Sequence, residues 1–430
     1  MSKPLRIALA GLGTVGAQVA RLLVGRAAAL EERAGRPLVL TAVSARDRGR
    51  DRGVDLAGVA WCDDVLALAG REDVDVIVEL IGGADGIAKD LVEAAFANGK
   101  QVVTANKALI AHHGMPLAKA AERRGLGFNY EAAVAGGIPV IKTLREALVA
   151  NEITRLYGIL NGTCNYILSE MTSSGRAFDD VLGEAQALGY AEADPAFDIE
   201  GTDAAHKLSI LASLAFGSAV DFGAVYCEGI TRISALDIRA ARELGYVIKL
   251  LAIAENTDKG VRCHVHPAMV PVGTSIADVE GPFNAVVIEA DPIGKLMLQG
   301  PGAGAGPTAS AVMSDLADLA RGLKLPAFLR PAERLARTPP ADFLARVGSY
   351  YLRFTVVDRP GVIADIARIL ALRAISMESI IQRGRSPGAP VQVVMTTHET
   401  GEAQMAQALQ EIAKANHVVE PPCMIRIEAF

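Results

Sequence analysis

The sequence predicts an α/β chain in three parts. The first is a doubly wound parallel sheet, the second an α+β insertion with a mixed sheet, the third a small β-α-β-β-α-β module. Three observations carry this. A short apolar strand runs into a glycine-rich turn and a helix at the start of the chain. Strands and helices then alternate, which implies parallel strands with crossover helices. After a proline-rich stretch, the final residues repeat strand and helix in the ferredoxin-like order. The parts fall at residues 1–135 and 136–305, followed by a helical return at 306–335, a linker at 336–349 and the tail at 350–430.

Leu5–Ala10 is the first strand, and Gly11-Leu12-Gly13-Thr14-Val15-Gly16 follows at once. A helical pattern runs on through Val19, Leu22 and Leu23. This is G-x-G-x-x-G between a strand and a helix, the setting of a Rossmann-type dinucleotide site. The first glycine permits the tight turn, the second a close approach of pyrophosphate, the third close helix–strand packing. The helix N-terminus offers N–H groups and a positive dipole to phosphates. Leu38–Ser44 is the next strand, and Arg46 stands just past its end. An arginine there suits the 2′-phosphate of NADP, whereas an acidic residue suits NAD. Arg46 favours NADP, and Asp47 keeps NAD open.

Val74–Leu80, Gln101–Ala105 and Phe128–Ala133 continue the strands, with a helix at Ile87–Ala97. Ligands of such sheets bind beyond the carboxyl ends of the strands. That rule aligns Gly11–Gly16, Arg46, Ile81–Gly83, Thr104–Lys107 and Glu131–Gly137 on one rim. A lysine there can bind a cofactor or polarise a carbonyl, and a plain surface lysine explains it as well. The pattern changes after Ile138. Helices are expected at Pro139–Ala150, Tyr166–Thr172 and Phe178–Leu188, and strands at Arg155–Leu160, Tyr246–Ala254, Cys263–Val270, Asn284–Ala290 and Lys295–Gln299. A glycine- and proline-rich loop containing Gly304 precedes a helix at Thr308–Leu323, read as returning to the first domain.

Tyr190–Lys207 is the chemically dense stretch, with five carboxylates and one lysine in 18 residues. Its second half starts a helix, Thr202–Phe216, that is apolar nearly all round and therefore buried. Asp203 and Lys207 are four apart and share a face of it. Burying such a pair is costly unless it is matched or used. A structural ion pair and a catalytic one fit equally on these residues alone.

His112-His113 reads as a loop end between helical segments. His264 and His266 share one face of a strand, but nothing completes a zinc set, so a structural role is preferred. Pro326–Pro340 holds four prolines and three arginines and reads as a linker. The tail is read as strand Tyr350–Val357, turn Asp358-Arg359-Pro360-Gly361, helix Val362–Arg373, strand Ile375–Gln382, a loop at Arg383–Pro390, strand Val391–Thr397, helix Glu402–Ala415 and strand Val418–Glu428.

The chain of 430 residues has a net charge of −6, which does not suggest a nucleic-acid surface. Five scattered cysteines without C-x-x-C spacing read as reduced thiols. No apolar run reaches the length of a membrane span. Lys3 and Arg6 ahead of an apolar run mimic a signal peptide, but Gly11-Leu12-Gly13 favours a strand and turn, so no targeting segment and a cytoplasmic location are expected.

Taken together, Thr104–Lys107, Glu131–Pro139, Gly158–Leu168, Gly189–Pro195 and Gly201–Leu208 resemble homoserine dehydrogenase, in that family's order and over nearly the whole chain. Asp358-Arg359-Pro360-Gly361-Val362 resembles the first turn of ACT modules, which bind amino acids. The resemblance implies reversible reduction of L-aspartate 4-semialdehyde to L-homoserine with NAD(P)H, in threonine, methionine and isoleucine biosynthesis. It implies Lys207 as acid/base with Asp203 orienting it, and Lys107 near cofactor and reacting oxygen, the proton-moving lysine being undecided between the two. Glu192 is implied to hold the substrate ammonium, with Tyr190 and Asp198 in the same polar site. Gly11, Gly13, Thr14, Val15, Gly16, Arg46, Thr104, Lys107 and Gly304 form the implied cofactor set. Glu131, by side chain or backbone oxygen, with the carbonyls of Val134, Gly136 and Ile138, resembles a site for a monovalent cation such as Na⁺. Feedback by L-threonine through the tail and a homodimer or homotetramer complete the expectation.

Two rivals stand beside it. A sugar or inositol oxidoreductase also places a lysine at the sheet rim, but leaves Tyr190–Lys207 and the tail without a purpose. A sensor of nucleotide and amino acid without turnover needs neither Lys107 nor Lys207.

Overall fold

A computed structural model describes residues 3–382 and 388–430. Its first sheet contains β1 (Leu5–Ala10), β2 (Leu38–Ser44), β3 (Ala60–Trp61), β4 (Val76–Glu79), β5 (Gln101–Thr104) and β6 (Phe128–Asn129). They lie in the order β3-β2-β1-β4-β5-β6, and each neighbouring pair is parallel. The order reverses between β1 and β4, where a doubly wound sheet opens a crevice for its ligand. The helix Ala305–Ala320 returns here: Ala309, Val312 and Leu316 join one buried cluster with Leu5, Ile7, Leu9 and Val19. It starts three residues earlier than expected, because Pro307 falls among first-turn positions whose N–H has no helical partner anyway.

The middle of the chain supplies β7 (Glu152–Ile159), β8 (Tyr226–Cys227), β9 (Tyr246–Thr257), β10 (Gly260–Pro271), β11 (Phe283–Asp291) and β12 (Gly294–Pro301). The tail supplies β13 (Val347–Val357), β14 (Met377–Gln382), β15 (Pro390–Thr397), β16 (Thr400–Gly401) and β17 (Cys423–Ile427), with helices Val362–Ala371 and Glu402–Ile412. Its strand order β17-β13-β15-β14 and its core of Tyr350, Leu352, Phe354, Ile366, Met395 and Met405 agree with the ferredoxin-like reading. Most of the loop at Arg383–Pro390 lies outside the described residues. Middle part and tail share one sheet. β17 pairs with β10 in parallel, Ala268 opposite Arg426, giving the order β12-β11-β7-β9-β10-β17-β13-β15-β14 among the described residues.

Several sequence expectations are corrected. His112 and His113 lie inside a helix, Lys107–Glu122, not at a loop end. Gly114 and Pro116 suggest a break, yet Gly114 makes room for the Phe328 ring, and a Cβ there would sit 3.0 Å from it. Packing of this kind overrides local propensity. The expected strand Phe128–Ala133 ends at Asn129 and becomes a 3₁₀ turn at Glu131–Ala133. The expected helix Pro139–Ala150 is a short helical turn at Val140–Lys142 followed by a π-helical turn at Thr143–Ala147. The helix read as Tyr166–Thr172 starts at Gly162, because the Asn161 side chain caps it by accepting from the Cys164 N–H at 2.8 Å. The proline-rich stretch is a packed strap rather than a free linker. Phe328 and Ala332 are fully buried, the Tyr130 hydroxyl donates to the Ala327 carbonyl at 2.6 Å, and Phe343 stacks on Tyr226 at 3.9 Å. β13 begins within the stretch read as linker.

His264 and His266 do share a face, with their rings stacked at 5.0 Å and fully buried. Among the described residues no group of three or more His, Cys, Asp or Glu could hold a metal ion. All five cysteines are unpaired as disulfides, and no described helix is long and apolar enough to cross a membrane.

Candidate active site

The glycine loop shows why each glycine is there. Gly11 has φ +100°, and a Cβ on it would lie 2.6 Å from the Leu80 carbonyl oxygen. A Cβ on Gly16 would lie 2.0 Å from the Gly11 oxygen, so helix and turn pack too closely for any side chain. Gly13 meets nothing within 4 Å and caps the helix Thr14–Gly25 without a side-chain hydrogen bond. The N–H groups of Thr14 and Val15 are therefore free of side-chain caps beside open space, which fits a pyrophosphate. Arg46 is exposed just beyond β2. Arg52, which the sequence could not single out, donates through Nε to the Leu12 carbonyl at 3.3 Å. Arg48 and Arg52 lie 5.8 and 5.5 Å from the Trp61 ring centre, so the basic loop folds back over the glycine turn.

The neighbouring rim loops are tied by Glu79. Its carboxylate accepts from the N–H groups of Ile81 (2.7 Å) and Gly82 (3.1 Å) and from the Thr104 hydroxyl. Thr104 is fully buried, so its side chain serves this knot. Asn106 caps the Lys107–Glu122 helix, accepting from Leu109 N–H at 3.0 Å, and its amide donates to the Gly83 carbonyl at 2.7 Å. Lys107 thus leaves the first helical position with its side chain one-third exposed. Gly304 caps the Ala305–Ala320 helix at φ +113°.

Opposite Lys107 stands Asp203, on the second residue of the Thr202–Phe216 helix. That helix has the expected ends, set by left-handed glycines at 201 and 217. Asp203 Oδ1 pairs with Lys107 Nζ at 2.9 Å, and Oδ2 pairs with Lys207 Nζ at 2.7 Å. Lys207 Nζ also donates to the Leu160 carbonyl at 2.7 Å. Asn161 Nδ2 donates to Asp203 Oδ2 and Asp198 Oδ1, both at 2.8 Å. Thr163 donates to the Tyr190 carbonyl at 2.8 Å, and Tyr190 packs its ring 4.7 Å from Tyr166. Glu192 is exposed, with its carbonyl accepting from Gln186 at 3.0 Å and its carboxylate outside these hydrogen bonds.

Burial raises the pKa of Asp203, but the two ammonium groups outweigh it and hold the carboxyl well below the usual range. Burial pulls Lys107 down, and Asp203, Asp198 and Glu192 more than reverse this, so it stays charged. Lys207 is buried, and burial with Lys107 nearby leaves it below an ordinary lysine despite Asp203. Burial and Asp203 push Asp198 up. The two lysines therefore shift in opposite directions, Lys107 above an ordinary lysine and Lys207 below it.

The sequence missed Asn161, Glu79 and the histidine pair. His112 Nε2 and His206 Nε2 meet at 3.2 Å, linking the helices that carry Lys107 and Lys207. Only the order of motifs, not any one residue type, hinted at Asn161.

For the cation set, both Glu131 carboxylate oxygens already accept backbone N–H groups, Ile141 at 3.0 Å and Lys142 at 2.8 Å. Burial and Asp315 push that carboxyl up to about 8. The Ile138 carbonyl accepts from Val140 N–H at 2.7 Å. With its carboxylate engaged, Glu131 is left its backbone oxygen for a hard cation, beside the carbonyls of Val134, Gly136 and Ile138.

Residues 11–131 match the family described as homoserine dehydrogenase, NAD binding domain, residues 139–317 match homoserine dehydrogenase, and residues 350–417 match the ACT domain. A homoserine dehydrogenase of Neisseria gonorrhoeae is 45% identical over 436 residues, covering 100% of this chain and 99% of its own. The chain belongs to the homoserine dehydrogenase family. A homoserine dehydrogenase of Pseudomonas aeruginosa is 43% identical over 99% of both chains. The crystal structure of a homoserine dehydrogenase from Thiobacillus denitrificans superposes with a TM-score of 0.93 at 44% identity, covering 99% of this chain and 98% of that one. A hyperthermophilic archaeal homoserine dehydrogenase in complex with NADPH gives a TM-score of 0.63 at 25% identity, over 75% of this chain and 99% of its own. As a homoserine dehydrogenase the chain is an oxidoreductase of amino-acid biosynthesis. Its first domain binds a nicotinamide dinucleotide, and its tail is an ACT domain, a module for small amino-acid effectors.

Proposed function

We propose that the chain interconverts L-aspartate 4-semialdehyde and L-homoserine with NADP(H), using Lys207 as the proton donor and Lys107 as a fixed cation. The observation that carries this reading is Asp203, one buried carboxylate shared by two lysines from two domains. The bound nicotinamide supplies the hydride. Hydride addition to an aldehyde leaves negative charge on its oxygen, which ammonium groups stabilise. Lys107 keeps its proton and holds that oxygen. Lys207, with its pKa drawn down, gives its proton to the oxygen, and its neutral amine takes the proton back in the reverse direction. Asp203 orients both groups and is too acidic to donate.

Glu192 pairs with the substrate ammonium, and Asp198 and Tyr190 line the same end. Arg46 reads the 2′-phosphate, supported by Arg48 and Arg52 around Trp61. A monovalent cation on the carbonyls of Glu131, Val134, Gly136 and Ile138 stiffens the rim. L-threonine is the effector of the ACT domain, in the setting of threonine, methionine and isoleucine synthesis. The assembly is a homodimer or homotetramer, and the domains follow the limits read from the sequence except that the tail begins with β13 at Val347.

The test mixes purified protein with L-homoserine and NADP⁺ or NAD⁺ and follows the reduced cofactor by absorbance. Turnover favouring NADP⁺ is expected. No turnover with either cofactor would end this reading. Arg46→Ala should lower kcat/KM for NADP⁺ about tenfold and leave NAD⁺ unchanged, since it removes one charge-assisted contact. Equal losses for both cofactors would assign Arg46 to structure.

A further inference from the structure

The ACT domain reaches the active site through a short series of direct contacts. Arg426 in β17 is a fully buried cation in the sheet seam. Its guanidinium pairs with Glu402 of its own domain at 2.6 Å and with Glu228 of the middle domain at 2.8 Å. It also lies over the rings of Tyr226 (5.3 Å) and Phe343 (5.0 Å). Glu228 is fixed to β10 by its own N–H, which donates to the Val265 carbonyl at 2.8 Å.

The residues around Glu228 press on the turn that starts the Thr202–Phe216 helix. Ile230 N–H donates to the Ile199 carbonyl at 2.8 Å, and Cys227 Sγ donates to the Glu200 carbonyl at 3.2 Å. Gly229 is packed so closely that a Cβ would lie 2.2 Å from the Ile199 oxygen. A Cβ on Gly201 would lie 3.0 Å from Cys227 Sγ. Gly201 is the left-handed cap of the helix, and Asp203 follows two residues later. The turn therefore has little freedom while residues 227–230 stay in place.

We propose that Arg426 and Glu228 are positioning residues for the Asp203–Lys207 pair. The ACT arginine holds the segment 227–230, and that segment fixes the turn 199–201 from which the active-site helix starts. The ACT domain then contributes to basal catalysis as well as to effector binding. A hyperthermophilic archaeal homoserine dehydrogenase covers only 75% of this chain with 99% of its own, so the proposed dependence is one for this chain and not one for the reaction in general. The proposal rests on the roles given above to Asp203 and Lys207.

The experiment uses the full chain. Arg426→Met leaves buried Glu402 with only the Tyr350 hydroxyl and a more distant Arg346, and endangers the fold. Glu228→Gln is the deciding variant, because Glu228 is 28% exposed and glutamine keeps its shape. Two readouts are taken: steady-state kinetics with L-homoserine and NADP⁺, and amide hydrogen exchange over residues 199–207. Expected are a kcat about tenfold lower, a KM for NADP⁺ within about twofold, and faster exchange at 199–207 with none at the Thr14–Gly25 helix. A kcat within about twofold of the parent overturns the proposal, as does unchanged exchange at 199–207. Should the parent itself lack turnover, the reading of the reaction fails instead, and the exchange measurement still decides whether the contacts act on the turn.

Discussion

At the scale of single residues, Asp203 decides the site. A carboxylate this deeply buried survives only because Lys107 and Lys207 both neutralise it, with Asn161 as a further donor. Replacing it by asparagine removes the counter-charge while keeping the shape. Asp203→Asn should lower kcat about 100-fold, the low end for positioned acid–base groups, with nucleotide affinity unchanged. The sign of the pH effect follows from Lys207. Its pKa is already below an ordinary lysine, and loss of Asp203, which raises it, lowers it further. Aldehyde reduction needs the ammonium, so its alkaline limb should move to lower pH in Asp203→Asn. A limb that stays in place would remove Lys207 from the proton path. Stability has the opposite dependence. Asp203 is more acidic folded than unfolded, so its contribution is present above the ordinary carboxylate range and is lost as pH falls.

At the scale of elements, two helices bring the lysines together. The Lys107 helix and the Lys207 helix meet at Lys107–Asp203 and again at His112–His206, 3.2 Å between ring nitrogens. One ring donates and the other accepts, so the contact needs at least one neutral ring. Burial, with His112 and Lys107 adding to it against Asp203, pushes His206 down to about 4 from 6.5. A histidine held neutral in the fold costs stability as pH falls from about 6.5 to about 4, because only the unfolded chain gains the proton. His206→Phe should flatten that acid slope in Tm and lower kcat several-fold, because one of the two ties between the helices is lost. An unchanged slope would mean that His206 takes up its proton in the fold as readily as in the unfolded chain.

These elements also show what the sequence could disclose. Thr202–Phe216 was legible to the residue because glycines bound it and its apolar body leaves no other period. The tail was legible because its strands and helices alternate within 80 residues. Lys107–Glu122 was not, since Gly114 and Pro116 look like a break until Phe328 is seen against them. The Asp203–Lys207 pair could be read from i, i+4 spacing. The second lysine came from the rim rule, but the bridge to Asp203 joins residues 96 apart, and no local pattern encodes it. The choice between side chain and backbone oxygen at Glu131 was not legible for a like reason: the N–H groups that its carboxylate accepts, those of Ile141 and Lys142, lie ten and eleven residues on.

At the scale of the whole molecule, the fused sheet changes what removal of the ACT domain would do. A free linker would let residues 347–430 be cut away cleanly, leaving an enzyme deaf to its effector. Instead β17 covers the edge of β10, and Arg426, Arg346 and Glu428 interlock there with Glu228, Arg155 and the buried His266. Tyr351 and Arg353 donate to Asp237, a fully buried carboxylate of the middle domain, at 2.9 and 2.7 Å. Truncation would strip Asp237 and Glu228 of these partners and bare the β10 edge at Ala268 and Met269. The chain ending at residue 346 should therefore aggregate, or melt several degrees below the full chain, since the sheet contacts of β17 and the Asp237 and Glu228 pairings are lost together. Light scattering and a thermal melt read this directly. A monodisperse truncated enzyme with the parent's kcat would mean that the seam is only a tether. For the same reason, threonine sensitivity is best tested on the full chain, where L-threonine should inhibit without altering the melting cooperativity of the shared sheet.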